Sequence, residues 1–392
     1  MSNLDVERII RTLQGVLPTR QEPPEVFPLH EPEMAGREWS YVKECLDTNW
    51  LSTEGSFVGR FERALELATG ARYAVATVTG TAALHLCLLA AGVEPGDEVI
   101  VPTLTYVATA NAVSFCGASP HFADCDERTL GLDPGKLNAH LHEIADLSGG
   151  ACVNRRTGRR IRAVVPMHTF GHPVDLDPLV ELCARFSLLL IEDAAESLGT
   201  LYKGRHTGTL GRIGMLSFNG NKIVTTAGGG AVITDDPVVA EHVRHLASNA
   251  KRPHRWELFH DRVGFNYRMP ALNAAVGCAQ LERLPSFVER KRALAGRYLE
   301  ELQGVDGLRI FREPAFARSN YWLNALILEP ERASSLNVLL ERTNEAGLRT
   351  RPAWHPMHRL PMYLDAPRMD LAVAESLATR ILNLPSSARL AA

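Results

Sequence analysis

Three stretches of this 392-residue chain carry side chains that suit one another chemically. Lys222 lies in Ser217-Phe218-Asn219-Gly220-Asn221-Lys222, and its loop runs on to Gly228-Gly229-Gly230. Apolar stretches on either side read as core strands, so this lysine is expected to be partly desolvated. Desolvation lowers a lysine pKa and favours the neutral amine, and a neutral amine condenses with an aldehyde. The ordinary alternative is an exposed loop lysine, since glycine marks any tight turn. Only six of the 42 lysines and arginines are lysines, and Lys43, Lys136, Lys203, Lys251 and Lys291 read as polar or helical surface positions.

A carboxylate and an anion cradle complete the set. Leu188-Leu189-Leu190-Ile191 is a buried-strand run ending in Glu192-Asp193, and ligands of open α/β sheets bind beyond the carboxyl ends of the strands. Asp193 also fits a helix N-cap. Thr79-Gly80-Thr81-Ala82-Ala83-Leu84 joins a strand to an apolar helix. Free N–H groups at such a helix start suit a phosphate dianion, although capping by Thr79 or Thr81 is an equally ordinary use. Together the three features meet the needs of pyridoxal 5'-phosphate (PLP): a lysine for the aldehyde, a cradle for the phosphate, and an aspartate that keeps the pyridine nitrogen protonated. No metal site is expected, because His355 and His358 have no acidic or cysteine partner at ligand spacing.

The elements that must position these residues alternate in type. Strands are expected at Tyr73–Val78, Glu98–Pro102, Pro120–Ala123, Arg162–His168, Ser187–Asp193, Gly214–Phe218 and Gly230–Thr234, with helices such as Thr81–Ala91, Asp177–Phe186 and Pro237–Ser248 between them. Asp177 before Pro178 reads as a helix start. This alternation predicts an α/β fold with a mixed, mainly parallel seven-stranded sheet covered on both faces. Beyond Pro270 a long helical stretch, Ala271–Leu302, precedes strands at Leu308–Phe311 and Trp322–Leu328, which predicts a smaller α+β domain. The expected division is an N-terminal extension, residues 1–26, a large domain, 27–265, and a C-terminal domain, 266–392. The extension reads as peripheral, with a helix at Val6–Leu17 broken by Pro18, Pro23 and Pro24. Five arginines between Arg155 and Arg162 read as a solvated turn between strands, with a diphosphate contact as the sharper reading.

Composition excludes several classes. With 42 basic and 45 acidic residues there is no basic excess for nucleic acid. The longest apolar runs are strand-sized rather than membrane-spanning, and the first residues carry no apolar signal core. Seven scattered cysteines with no CxxC pair read as reduced, mostly buried thiols of a cytoplasmic protein.

The residues resemble the DegT/DnrJ/StrS family of sugar aminotransferases, with the fold type I, aspartate aminotransferase-like architecture, from about Pro28 to Ser387. The resemblance rests on Phe57-Val58-Gly59-Arg60-Phe61-Glu62, Thr79–Leu84, Pro102–Thr109, Gly171-His172-Pro173, Glu192–Ser197, Ser217-Phe218 with Lys222, and Gly264–Met269. It implies that Lys222 holds PLP and moves the substrate proton, and that Asp193 pairs with the pyridine nitrogen. Glu196 stands where the family places a polar side chain, often Gln or His, against the ring hydroxyl. Tyr106 would stack on the ring, and Gly80, Thr81 and Ser217 would hold the phosphate. Asn266 would reach the phosphate of a neighbouring subunit, implying a homodimer with shared active sites.

Within the family, Pro28–Pro32, Met167–His172, Phe218–Lys222, Arg318–Asn324, Arg351-Pro352 and His358–Tyr363 resemble the subgroup feeding legionaminic acid synthesis. That resemblance implies transfer of an amino group from L-glutamate to carbon 4 of a UDP-linked, alternatively GDP-linked, 4-keto-6-deoxy-N-acetylglucosamine. Arg318, Tyr321, Trp322, Arg351 and His358 would supply cations and stacking surfaces for the nucleotide sugar. Two other readings compete. Related PLP-dependent sugar dehydratases carry histidine in place of the lysine, which Lys222 opposes. A non-catalytic sugar-binding protein would not need the full set of Lys222, Asp193, cradle and Asn266.

Overall fold

A computed structural model describes residues 4–18 and 26–391. Its main sheet follows the spatial order Tyr73–Thr77, Gly230–Thr234, Ile213–Ser217, Leu189–Asp193, Arg160–Val164, Glu98–Pro102, Ser119–Ala123. Six of these seven strands run in one direction; Gly230–Thr234 is antiparallel to both its neighbours. Short strands at Ala145–Asp146 and Cys152–Asn154 extend the sheet to nine. Cys152–Asn154 pairs antiparallel with Arg160–Val164, so the arginine-rich segment is the hairpin turn expected of it. None of those arginines lines the main cavity.

The central strands are buried on both faces, as a sheet covered by helices requires. One layer of apolar side chains packs Leu84, Leu88 and Val113 onto Val99, Val101 and Ile191. The opposite layer joins Phe61, Leu65 and Phe218 to Ala274, Ala275 and Phe287. The long C-terminal helical stretch is two helices, Ala271–Glu282 and Leu284–Glu301, separated at Arg283 with Pro285 opening the second. A four-stranded sheet, ordered Leu308–Ile310, Asn324–Leu328, Ile381–Leu384, Arg351–Pro352, follows.

Three expectations need correction. The helix near Pro178 begins at Leu176 with Asp175 at its N-cap position; Asp177 instead pairs with Lys203 at 2.5 Å. The N-terminal helix, Val6–Val16, is docked rather than peripheral: Ile9, Leu13 and Val16 are buried against Leu294, Tyr298 and Leu336. The breaks expected at Pro23 and Pro24 lie outside the described residues. Lys291, expected on a helical surface, is fully buried. Its Nζ donates to the carbonyl of Trp322 at 3.0 Å and to that of Ser386, and burial holds its pKa well below the usual lysine value. All seven cysteines are buried and unpaired. Among the described residues no helix is long and apolar enough to cross a membrane.

Candidate active site

The carboxyl ends of two adjacent parallel strands open the site. Met215 is paired with Asp193, so Ser217 and Asp193 emerge side by side. The glycine-rich loop between Ser217 and Gly230 then returns across the strand ends and carries Lys222. Gly230 must be glycine, since a Cβ there would lie 2.5 Å from the Thr79 carbonyl oxygen. The resulting cavity encloses about 650 Å³, which is the size range of small-molecule sites.

Asp193 is 4% exposed. The Thr109 hydroxyl donates to its Oδ2 at 2.8 Å, and the Ala195 N–H donates to its Oδ1 at 3.2 Å. Burial raises its pKa, while Thr109, Ala195 and the charge of Lys222 act in the other direction. Glu192, pointing to the opposite side of the strand, anchors this end. It accepts N–H bonds from Gly208, Leu210 and Gly211 at 2.6–2.7 Å and one from His168 Nε2 at 3.1 Å. Burial alone would raise its pKa, but His168 and these N–H groups outweigh burial and lower it.

Lys222 shows the expected desolvation, with a side chain 13% exposed. Two groups that attract a cation face its Nζ. Glu196 Oε1 lies 3.2 Å away, and the Trp322 ring centroid lies 4.0 Å away. The Trp322 indole N–H donates to the Asn221 carbonyl at 2.8 Å, fixing the loop beside Lys222. Glu196 Oε2 accepts the Phe170 N–H at 2.9 Å. Burial pushes the Glu196 carboxyl up to about 7 against the opposing charge of Lys222. Phe170 itself sits at φ 56°, a left-handed conformation that a bulky residue adopts only where its surroundings enforce it. Here its N–H is held by Glu196 and its ring packs at a tilt against Trp354, centroids 5.0 Å apart and planes at 31°.

The cradle forms at the start of the helix Gly80–Ala90. The Thr79 hydroxyl caps Ala82 N–H at 3.0 Å, leaving first-turn N–H groups of Gly80 and Thr81 with no partner inside the helix. A Cβ on Gly80 would stand 2.8 Å from Ser217 Cβ, so glycine is what leaves room beside the Ser217 hydroxyl. A phosphate dianion fits this arrangement of N–H groups and hydroxyls.

Gly80, Thr81, Tyr106, Asp193, Glu196, Ser217, Lys222, Trp322 and Arg351 all line this one cavity. Tyr106 is 55% exposed, so it is not a core aromatic. Arg318, Tyr321 and His358 do not reach it. Arg318 lines a different depression with Arg60 and Glu289. Tyr321 is buried against His172, its hydroxyl accepting the Glu313 N–H at 3.2 Å. His358 is held between Thr103 Oγ1 at 2.8 Å and Glu375 Oε1 at 3.0 Å. Asn266 is exposed and lies away from the cavity of its own chain. Sequence reasoning did not single out Thr109, Phe170, Trp354 or Asn383 as site residues. Thr109 and Phe170 lie inside quoted motifs; no local pattern marks the other two.

A lysine facing a buried carboxylate, a strand-end aspartate and a phosphate cradle on this doubly covered sheet define a fold type I PLP-dependent aminotransferase. The chain belongs to the DegT/DnrJ/EryC1/StrS aminotransferase family, which it matches over residues 32–392. It is 39% identical over 362 residues to the GDP-perosamine synthase of Caulobacter vibrioides, covering 92% of each chain. It is 36% identical to the GDP-perosamine synthase of Escherichia coli O157:H7, covering 92% of this chain and 93% of that one. The solved aminotransferase TlmJ from Streptoalloteichus hindustanus superposes with a TM-score of 0.82 at 32% identity, across 92% of this chain and 93% of that one.

Proposed function

We propose that this enzyme moves an amino group from L-glutamate to carbon 4 of a nucleotide-linked 4-keto-6-deoxy sugar, with sites shared between two copies of the chain. The observation that carries the reading is Lys222 Nζ converging with Asp193 and the Gly80–Thr81 cradle in one cavity. PLP supplies, when bound, an aldehyde and a ring that accepts electrons. Lys222 would hold the cofactor through its Nζ amine, and the same Nζ would be the base that moves a proton during amino transfer. Asp193 would keep the pyridine nitrogen protonated, Glu196 would meet the ring hydroxyl, and Tyr106 would stack on the ring. Gly80, Thr81 and Ser217 would hold the phosphate, and Asn266 would reach the phosphate of the partner's site. Trp322 and Arg351 face the incoming sugar. The large unit, residues 27–265, supplies the cofactor groups of its own chain's cavity, and the C-terminal unit, 266–392, supplies Trp322, Arg351 and the Asn266 contact to the partner's site.

The names of the two curated relatives point to a GDP-linked sugar. The stretches Pro28–Pro32, Met167–His172, Phe218–Lys222, Arg318–Asn324, Arg351-Pro352 and His358–Tyr363 resemble the subgroup that acts on a 4-keto-6-deoxy-N-acetylglucosamine, UDP-linked or alternatively GDP-linked, destined for legionaminic acid or a related surface glycan. Separate half-reactions decide between them. The enzyme is treated with L-glutamate until the visible absorbance of bound PLP is lost, freed of glutamate, and given each sugar in turn. Fast recovery with one sugar identifies it. Recovery with neither, after a normal glutamate step, removes this substrate class.

A further inference from the structure

We propose that Asn383 is a specificity-determining residue: its side-chain oxygen accepts a hydrogen bond from an O–H or N–H on the sugar ring. The inference rests on the sugar-aminotransferase reading above. Asn383 lies on the strand Ile381–Leu384, where side chains alternate between faces. Leu382 and Leu384 join one apolar cluster, and Ile381 joins the other. Position 383 therefore faces the same side as Ile381, where an apolar residue would complete the core. Instead it holds an amide only 2% exposed, and that amide lines the cofactor cavity.

The orientation of the amide is set by its neighbour. Asn383 Nδ2 donates a long bond of 3.5 Å to the Pro352 carbonyl, which only the NH2 end can do. Oδ1 is consequently turned the other way, and it is buried without a hydrogen-bond partner. Asn324 Oδ1 is also unpartnered, but Asn324 does not line the cavity. A buried acceptor left unpaired is costly, and a cavity that carries one gains from a ligand that brings a donor. Of the two substrates, L-glutamate has its only donors on the ammonium group, which must approach the Lys222 end. Its carboxylates are acceptors. A keto sugar carries ring hydroxyls, and an amino sugar an acetamido N–H. The acceptor therefore matches the sugar. Arg351, directly across the strand pair from Asn383 and also lining the cavity, supplies a cation next to it for an anionic group.

The test compares Asn383→Leu and Asn383→Asp with the wild type in both half-reactions, using whichever sugar restores the PLP absorbance. Asn383→Leu is expected to slow the sugar step at low sugar concentration at least tenfold more than the glutamate step. Asn383→Asp, which keeps an acceptor, is expected to recover much of that loss. The melting temperature of Asn383→Leu is expected to stay near wild type, because the change removes an unpaired buried oxygen and gives up only the long 3.5 Å bond to Pro352. An unchanged sugar step, or equal losses in both half-reactions, overturns the proposal. Reaction of the wild type with neither sugar overturns the functional reading and this inference with it.

Discussion

Lys222 Nζ and Glu196 Oε1 are 3.2 Å apart in a pocket that leaves Glu196 only 3% exposed. Burial raises the Glu196 carboxyl to about 7 from an ordinary value of 4.5. The folded chain thus keeps a proton there that the unfolded chain has released. Stability is lost as pH rises from about 4.5 to about 7, by on the order of 3 kcal/mol for a shift of this size. Glu196→Gln keeps an acceptor for the Phe170 N–H and cannot titrate. The difference in unfolding free energy between the cofactor-free variant and wild type should move in favour of the variant across this window. A pH-independent difference in urea denaturation would show that Glu196 ionises normally.

Lys222→Ala should fold and bind PLP without covalent attachment, so borohydride reduction followed by denaturation leaves no cofactor on the chain, and turnover falls below detection. The same loss is expected in both half-reactions, because Lys222 serves each. Turnover with normal kinetics in this variant would place the chemistry elsewhere, and release of a deoxygenated sugar with no amino group would mark a dehydratase.

The strand pattern of the large sheet was legible because apolar runs end in chemistry-bearing residues. Glu98–Pro102 and Gly230–Thr234 appear with the bounds their composition suggests. The strand expected at Arg162–His168 is instead Arg160–Val164, because the hairpin with Cys152–Asn154 recruits Arg160 and Pro166, which has no N–H to donate, interrupts the ladder, leaving only an isolated bridge between Met167 and Asp193 beyond it. Convergence in three dimensions was not legible. The strand expected from Trp322 starts instead at Asn324, and Tyr321 just before it sits at φ 47°. The backbone turn sends the Tyr321 ring to His172 and the Trp322 ring to Lys222. Lys291 was hidden in the charged run Glu289-Arg290-Lys291-Arg292, where period alone does not say which face meets another segment.

Lys291 is the basis of a second pH prediction. Burial holds its folded pKa well below the ordinary lysine value of 10.5. Unfolding therefore takes up a proton between the two values, and stability rises with pH across that interval. Lys291→Met removes this slope and leaves the carbonyls of Trp322 and Ser386 without this donor, at about 1–3 kcal/mol each. The deficit of the variant should be larger at pH 9 than at pH 6 in urea unfolding. Because one of those carbonyls belongs to Trp322, the variant should also weaken sugar binding more than glutamate binding. A deficit that does not change with pH would mean that the buried amine stays charged.

Gly80→Ala tests the phosphate cradle by sterics alone. In a helix Ala is favoured over Gly by about 1 kcal/mol, so the change would stabilise an idle helix start. Here the new Cβ would lie 2.8 Å from Ser217 Cβ, 2.9 Å from Ser217 Oγ and 3.1 Å from Met215 Cε. Something must shift, and the hydroxyl beside the cradle is the group in the way. The expected result is a PLP dissociation constant raised about tenfold or more, roughly the 1.4 kcal/mol of one misplaced hydrogen bond. Gly296→Ala is the control, since a Cβ there meets nothing within 4 Å of its helical position. It should raise the melting temperature slightly and leave PLP affinity as it was. Equal PLP affinity in both variants would remove Gly80 and Ser217 from the phosphate site.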